Sequence, residues 1–585
     1  MGNDKGLLLA QAQLNLTVGD INGNADKIIA AAKLSHEKLV ADILAVPEQA
    51  ILGYPAEDLI LRTEVISLCQ QALQRITRDI PKELCLIVGY PRQHDKGNSG
   101  TSVTNHLEVL LGGKSIASYA KQLLPTYQVF DEHRLFAAGT ESCCFTLPNS
   151  SIKFGLVICE DLWLDDPVAK CHAAGAQHII SINASPYSML QPQKRLEVVA
   201  RRAREHSIPI SYVNCCGGQD ELVFDGYSFV CDAQGDIIQL ASPLTEELSL
   251  TEITTNENGK VAVASRGSWK SSWKLDDASQ TKRVSTKPLD KISEVYEVLK
   301  HGLRDYALKN GISQCVIGLS GGIDSAVAVC LASDALGPDK VTAVAMPSKY
   351  TAAMSNDDAA ELSKNLGINY KKLALEELIN SVHKSLDPLV DMSEPTSIVS
   401  QNIQPRLRAI ILMALANQNN ALLIATSNKS ESSVGYSTLY GDMAGGFAPL
   451  KDVFKNTVYQ LAEYRNSIQE VIPQRIIQRP PSAELYEGQE DADNLPAYDV
   501  LDVILKSYIE EGLEHDAIIA QNTSLTSSLV NKVINLVDAA EYKRRQMAPG
   551  TRISEHGFGK DRRYPITNRF NKMRGDRMQA DKTQT

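Results

Sequence analysis

Residues 314–332 read QCVIGLSGGIDSAVAVCLA. The apolar, β-branched run Cys315–Leu319 predicts a buried strand, and the Ala/Val-rich stretch opening at Ser325 predicts a helix. Across this junction lie Gly318, Leu319, Ser320, Gly321, Gly322, Ile323, Asp324 and Ser325. Adjacent glycines let successive backbone N–H groups converge on an anion, and the N-terminus of the following helix adds partial positive charge. The Ser320 and Ser325 hydroxyls can donate to phosphate oxygens, and Asp324 can hold a magnesium ion. The Gly-Lys-Ser/Thr of a Walker loop is missing, so this is a phosphate loop of another kind. A plain glycine turn capped by Asp324 or Ser325 is the simpler reading. Such a turn, however, needs no glycine pair flanked by serines directly after a buried strand.

Downstream of the loop, strands and helices continue to alternate. Val341–Met346 and Ala421–Ala425 read as strands, and Asp357–Leu366 and Ile403–Ala416 as helices, the pattern of a doubly wound parallel sheet across residues 290–570. Upstream, residues 265–287 read SRGSWKSSWKLDDASQTKRVSTK without an apolar period, which predicts a linker over 265–289. Residues 1–264 alternate short apolar runs (Leu7–Gln13, Asp42–Val46, Leu86–Gly89, Leu107–Leu111, Phe154–Ile158, His178–Ile182, Ile210–Val213, Tyr227–Val230) with helical stretches such as Ala25–Leu39 and Val65–Asp79. That mixture predicts an α/β sandwich with sheets inside and helices outside. The polar residues 571–585 read as a disordered tail.

A chain of 585 residues exceeds the size at which one hydrophobic core keeps growing, which agrees with two domains. Hydrophobic residues make up 43% and charged residues 22%, with a net charge of -11. That balance argues against a dedicated nucleic-acid or membrane-surface binder. No run approaches the roughly 18 uninterrupted apolar residues of a membrane span. Eleven cysteines, none in CxxC spacing and most in apolar runs, suit buried reduced thiols in a cytoplasmic protein better than disulfides or a zinc site.

In the first half, three apolar strands each lead to a chemically capable residue. DILAVPE delivers Glu48, YAKQLLP delivers Lys121, and GLVICEDLW delivers Cys159 at a strand-to-helix switch where helix N–H groups favour a thiolate. A carboxylate can serve as general base for the thiol, and a lysine can stabilise a tetrahedral oxyanion. Any one of the three alone would pass for a buried thiol or a loop charge; the combination is what carries chemistry.

These motifs resemble two known families. Glu48, Lys121 and Cys159, with Asn183-Ala-Ser-Pro186, Tyr212-Val-Asn214, Gly218-Gln-Asp220 and Phe224-Asp-Gly226, resemble the nitrilase (carbon–nitrogen hydrolase) superfamily and imply its α-β-β-α sandwich. The Gly318–Ser325 loop is similar to that of the ATP pyrophosphatases. Together with Met346-Pro-Ser348, Asn402–Arg408, Thr426-Ser-Asn-Lys-Ser-Glu431, the stretch ending at Lys455, Pro481–Leu485 and Tyr542–Arg545, it resembles the NAD synthetases. The fusion resembles the glutamine-dependent members of that family.

The resemblance implies that Glu48 deprotonates Cys159, which attacks glutamine, while Lys121 and the backbone N–H of Glu160 hold the oxyanion. Glu132 would orient Lys121, and Tyr127, Ser185 and Gln191 would bind glutamine. Similar glutaminase domains carry a basic residue where Gln191 stands; here either glutamine is held less tightly, by a neutral amide, or Lys194 reaches in. It further implies that Thr426 joins the loop in binding ATP, and that Asp324 and Glu431 hold Mg2+. Asn402, Glu431, Asp442, Lys455 and Lys543 would meet deamido-NAD. NAD is then a product, not a cofactor. The implied partners are small molecules and further copies of the chain, paired through the synthetase domains. Two other readings are an amidase joined to a domain that activates some other carboxylate, and a nucleotide-binding regulatory protein with inactive sites.

Overall fold

The computed structural model describes residues 6–94, 103–256, 259–270, 282–284, 289–391 and 397–568. The expected tail, residues 571–585, lies outside these. The chain divides into two compact units, Met1–Leu289 and Asp290–Thr585.

In the first unit, strand Leu7–Gln13 shows how the sandwich is built. Its side chains alternate, so Leu7 and Leu9 enter one core while Ala10 and Ala12 enter another. The strand is central to an eight-stranded sheet, parallel to Ile43–Ala45 and antiparallel to Glu247–Thr255. A second, six-stranded sheet carries the parallel strands Lys153–Ile158, His178–Asn183 and Ile210–Asn214. Leu9, Ile43 and Ile87 of the first sheet meet Phe154, Leu156 and Ile180 of the second in one shared core. Helices Ile21–Glu37 and Thr63–Asp79 cover the outer face of the first sheet; Asp166–Ala173 and Gln191–His206 cover that of the second. The order is helix, sheet, sheet, helix, as expected.

The expected linker needs correction at its start. Ser265–Lys270 complete strand Val261–Lys270, which pairs with Glu247–Thr255 and is flanked by Lys282–Val284. Polar residues are tolerated because backbone bonds hold the strand. Ser268 is also tied to Gln239 at 2.9 Å and to Ser249 at 3.0 Å, while Trp269 packs on the outer core. Residues 271–281 and 285–288 lie outside the described set.

In the second unit, four parallel strands run in the spatial order Asn369–Lys372, Val341–Ala345, Cys315–Gly318, Leu422–Ile424. Helices Lys291–Lys309, Ile323–Leu336 and Lys455–Ile468 pack together, and Ile398–Asn419 covers the sheet core containing Val316, Val344 and Leu423. The chain first moves outward from Cys315–Gly318 on one side and then returns to place Leu422–Ile424 on the other. A crevice opens beyond the strand ends at such a reversal, and doubly wound sheets bind ligands there. A separate helical cluster follows, with Leu501, Ile504, Val530, Val533, Ile534 and Val537 at its centre.

Candidate active sites

In the first unit, Glu48, Lys121 and Cys159 all stand just beyond strand ends: buried strands for Glu48 and Cys159, and for Lys121 the mostly exposed strand Lys114–Ala120. All three side chains are buried, as is Glu132. The Lys121 ammonium donates to Glu48 Oε1 at 2.8 Å and to Glu132 Oε1 at 2.9 Å. Glu48 is fixed further by the Asn105 amide (2.7 Å) and the Ala184 N–H (2.9 Å), and Tyr54 donates to Glu132 at 2.9 Å. Asn105 and Tyr54 carried no sequence signal as members of this cluster, whereas Ala184 lies in the Asn183–Pro186 stretch.

Burial alone would lower the Lys121 pKa, but the Glu132 and Glu48 carboxylates outweigh it and hold the ammonium charged. Burial pushes the Glu132 carboxyl up, reinforced by Glu48 and opposed by Lys121. For Cys159 the thiolate expectation is corrected. Burial, then the Glu48 charge, raise its pKa well above that of an ordinary thiol despite Lys121. The reason is local: Cys159–Leu162 is a single four-residue turn, too short to offer a helix dipole, and carboxylates surround the sulfur. The resting sulfur is therefore a thiol, and a base must take its proton. Cys159 also sits at φ +45, a backbone strain of the kind found at functional turns.

Asp161 couples the Cys159 turn to the Lys121 segment. It is fully buried and accepts from Ile158 N (3.1 Å), Gln122 N (3.2 Å), Leu123 N (2.9 Å) and the Tyr119 hydroxyl (2.7 Å). One carboxylate thus ties the strand before the nucleophile to the residues after the lysine.

The expected glutamine ligands are brought together unevenly. Tyr127 is exposed, and its hydroxyl donates to Glu160 at 2.9 Å. Ser185 is buried, and its N–H donates to Asn214 at 3.0 Å. Gln191 begins helix Gln191–His206, half-buried, with its N–H on Ser188 O at 3.0 Å. Lys194 is exposed. The basic side chain beside Ser185 is Arg195, which donates to Ser185 O at 3.2 Å and pairs with buried Asp225. Arg195 lies one helical turn beyond Gln191, and that i,i+4 spacing was its sequence signal.

In the second unit, the Gly318–Ser325 loop lines a cavity of about 290 Å³ together with Thr426, Glu431, Asp442 and Lys455. The two loops leave neighbouring strands at the topological reversal, which is why residues a hundred positions apart meet. Ser320 Oγ lies 3.1 Å from Ser325 Oγ and accepts from Gly322 N at 3.2 Å, so the serines shape the loop as well as facing the cavity. Gly321 has φ +80, and a Cβ there would lie 2.3 Å from Ser355 O. Gly321→Ala should therefore strain the loop by about 1–3 kcal/mol and weaken ATP binding at least about tenfold, leaving glutamine hydrolysis by the first unit unchanged. Calorimetric ATP titration beside a glutaminase assay checks this, and unaltered ATP affinity would contradict it.

Lys455 donates to Asp324 Oδ2 at 2.6 Å and Glu431 Oε1 at 2.9 Å; Asn428 donates to Asp324 Oδ1 at 2.9 Å. Tyr498 donates to Asp491 at 2.8 Å, beside Glu431. Burial pushes the Glu431 carboxyl up to about 7; Lys455 opposes the shift and Asp324 and Asp491 add to it. Three carboxylates facing one ammonium leave negative charge unmatched, and carboxylate oxygens are the donors a hard divalent cation takes. The Asp324–Glu431 pair thus fits Mg2+, whereas Lys455 is engaged with the carboxylates. Asn402 and Asp442 meet through Thr438, which donates its hydroxyl to Asn402 (2.7 Å) and its N–H to Asp442 (2.7 Å). Lys543 braces the same loop through Gly435 O (2.8 Å) and Ser437 O (2.7 Å). Asn402 and Lys543 are not among the residues lining the cavity.

Known proteins are similar to both units of this chain. The family model of carbon-nitrogen hydrolases matches residues 8–262, and that of NAD synthases matches residues 295–547. The glutamine-dependent NAD(+) synthetase of Xanthomonas campestris is 40% identical over 566 residues, covering 96% of this chain and 98% of that protein. The glutamine-dependent NAD(+) synthetase of Aquifex aeolicus is 40% identical, with 96% and 100% covered. The structure of glutamine-dependent NAD+ synthetase from Acinetobacter baumannii in complex with adenosine diphosphate is similar, with a TM-score of 0.74, 38% identity and coverage of 96% and 99%.

Proposed function

The chain belongs to the glutamine-dependent NAD(+) synthetases, which are ligases, and from that premise we propose how its two sites divide the reaction. The first unit hydrolyses glutamine to glutamate and ammonia. The second adenylates deamido-NAD (nicotinic acid adenine dinucleotide) with ATP and amidates it to NAD, releasing AMP and pyrophosphate in the final step of NAD synthesis. The observation that carries the reading is that both constellations are complete in one chain: Glu48–Lys121–Cys159 in one unit, and the Gly318–Ser325 loop with Asp324 and Glu431 in the other.

Cys159 is a thiol at rest, so catalysis begins with proton transfer from its Sγ to Glu48. The thiolate attacks the glutamine side-chain amide, and Lys121 with the Glu160 N–H stabilises the oxyanion. Glu48 returns the proton to the departing ammonia, then activates the water that hydrolyses the thioester. Tyr127, Ser185 and Gln191 bind the glutamine. Arg195 is held by Asp225 and positions Ser185.

In the second unit, the loop N–H groups and the Ser320 and Ser325 hydroxyls hold the ATP phosphates, with Thr426 also contacting ATP. Asn402, Asp442, Lys455 and Lys543 orient deamido-NAD. Its nicotinate carboxylate attacks the α-phosphorus, pyrophosphate leaves, and ammonia displaces AMP from the mixed anhydride. Asp324 and Glu431 hold Mg2+, which, when bound, neutralises phosphate charge and eases departure of pyrophosphate.

The Glu431 pKa makes a pH prediction. A metal ligand must be deprotonated, so the Mg2+ concentration for half-maximal adenylation should rise about tenfold per unit as pH falls below about 7 and level off above it. Glu431→Gln should remove that dependence. A requirement for Mg2+ that does not change across this range would contradict Glu431 as a ligand.

Helix Ile398–Asn419 leaves Val399, Ile410 and Met413 exposed along one face, and this apolar face supports pairing of copies of the chain. Eleven free thiols support a cytoplasmic location. The reading as a whole is tested by ATP-dependent pyrophosphate release: deamido-NAD should elicit it and other carboxylic acids should not. Release with another acid and none with deamido-NAD would favour a different activated carboxylate.

A further inference from the structure

We propose that Cys144 and Cys171 form a reversible disulfide on exposure to a hydroperoxide, an oxidation site of the first unit separate from Cys159. Cys144 lies on Cys143–Thr146, the edge strand of the six-stranded sheet, directly opposite Gly155 of Lys153–Ile158. Directly opposed residues on antiparallel strands project from the same face, with Cβ atoms about 4.5–5.5 Å apart. Gly155 carries no side chain there, and the point where its Cβ would stand is instead crowded by Ile179 Cδ1 at 2.6 Å, the Cβ of Cys171 on helix Asp166–Ala173 at 2.9 Å and the Cβ of Ala176 at 3.0 Å. The missing side chain is therefore what lets Cys171 come down beside Cys144.

The two thiols point into the same pocket, each donating to a backbone carbonyl beside the other. Cys144 Sγ lies 3.7 Å from Cys171 O, and Cys171 Sγ lies 3.9 Å from Cys143 O. Each sulfur thus lies against the segment that carries the other, the proximity that a disulfide between them requires. Cys143 is excluded by the period of the strand: it packs into the core between the sheets, whereas Cys144 packs in the outer core that contains Cys171.

Reactivity follows thiolate character and access. The neighbouring Cys171 side chain lowers the Cys144 pKa to about 7, with burial opposing and Lys153 assisting. Cys144 is half-buried on an edge strand, whereas Cys171 is buried. Cys144 is accordingly the attacking sulfur and Cys171 the resolving one. The Cys144 thiolate attacks one peroxide oxygen, the O–O bond breaks, and the departing hydroxide is protonated to water, leaving Cys144 as a sulfenic acid. The Cys171 sulfur then attacks the Cys144 sulfur, the S–O bond breaks, and a second water carries away the Cys171 proton. The peroxide gains two electrons and each cysteine loses one. Cys159, held as a thiol by burial and carboxylates, reacts more slowly.

Trypsin separates the three relevant segments: residues 135–153 hold Cys143 and Cys144, 154–170 hold Cys159, and 171–194 hold Cys171. The full-length protein is treated with hydrogen peroxide, alkylated, digested without reduction and analysed by mass spectrometry. The expected product is 135–153 joined to 171–194, reversed by dithiothreitol, while 154–170 carries an alkylated free thiol. The link should persist in Cys143→Ser and vanish in Cys144→Ser and in Cys171→Ala, each confirmed as folded by circular dichroism. A link lost in Cys143→Ser, oxidation of Cys159 ahead of the link, or no link in folded protein would each overturn the proposal.

Discussion

Cys159→Ala should lower glutamine-dependent NAD formation by at least about 10³-fold while leaving ammonia-dependent formation within about twofold of the unmodified protein. Removing a nucleophile eliminates the covalent route, and the residual rate comes only from binding and the oxyanion donors. The substitution is small and the site is rigid: Glu48 keeps its bonds to Lys121, Asn105 and Ala184, none of which involves the sulfur. The second unit has its own core and its own cavity, so its chemistry should not register the change once free ammonia is supplied. Comparable loss with both nitrogen donors, in protein that remains folded, would contradict the division of labour between the two units.

The mirror-image result is expected for Asp324→Asn and Glu431→Gln. Each should reduce pyrophosphate release by about 10²-fold or more, with either nitrogen donor, while glutamine hydrolysis persists. Both substitutions preserve shape and remove one charge. In Asp324→Asn, the carboxylate that accepts from Lys455 and Asn428 becomes an amide. The variant therefore loses a hard-cation ligand and leaves Lys455 with less to neutralise it. Glu431→Gln removes the carboxylate whose raised pKa marks the unmatched charge. Adenylation at an unchanged rate and an unchanged Mg2+ requirement in both variants would remove these two residues from the proposed metal site.

The phosphate loop was legible because its information is local. A glycine pair between a buried strand and an apolar helix specifies both conformation and chemistry, and Gly321 is indeed in the left-handed region against Ser355. Glu48, Lys121 and Cys159 were legible for a related reason: each follows a strand, and strand ends in α/β sheets are where functional side chains collect. The Cys159 thiolate was misjudged because protonation depends on what folds around the sulfur: burial, and the carboxylates of Glu48 and Glu132 from distant segments. The partners Asn105 and Tyr54 were invisible for the same reason: their roles arise only when separate segments meet.

Two structural features did leave unused signals. Strand Lys114–Ala120 is mostly exposed and polar, but Gly112-Gly113 marks the two-residue turn joining it to Val103–Leu111, both glycines at positive φ. The stripe Val530, Val533, Ile534 and Val537 has the three-four spacing of a helix and lies in the buried helical cluster. The strand over Ser265–Lys270 had no such signal, since its order comes from backbone pairing with Glu247–Thr255.

The central claim is that the amide nitrogen released at Cys159 becomes the carboxamide nitrogen of NAD. It is tested by supplying the full-length protein with amide-¹⁵N-glutamine, deamido-NAD, ATP and Mg2+, and weighing the product. NAD heavier by one mass unit, with AMP and pyrophosphate formed in equal amounts and no heavy product from Cys159→Ala, is the predicted result. Glutamine hydrolysed without heavy NAD, although ATP and deamido-NAD are present, would contradict the account.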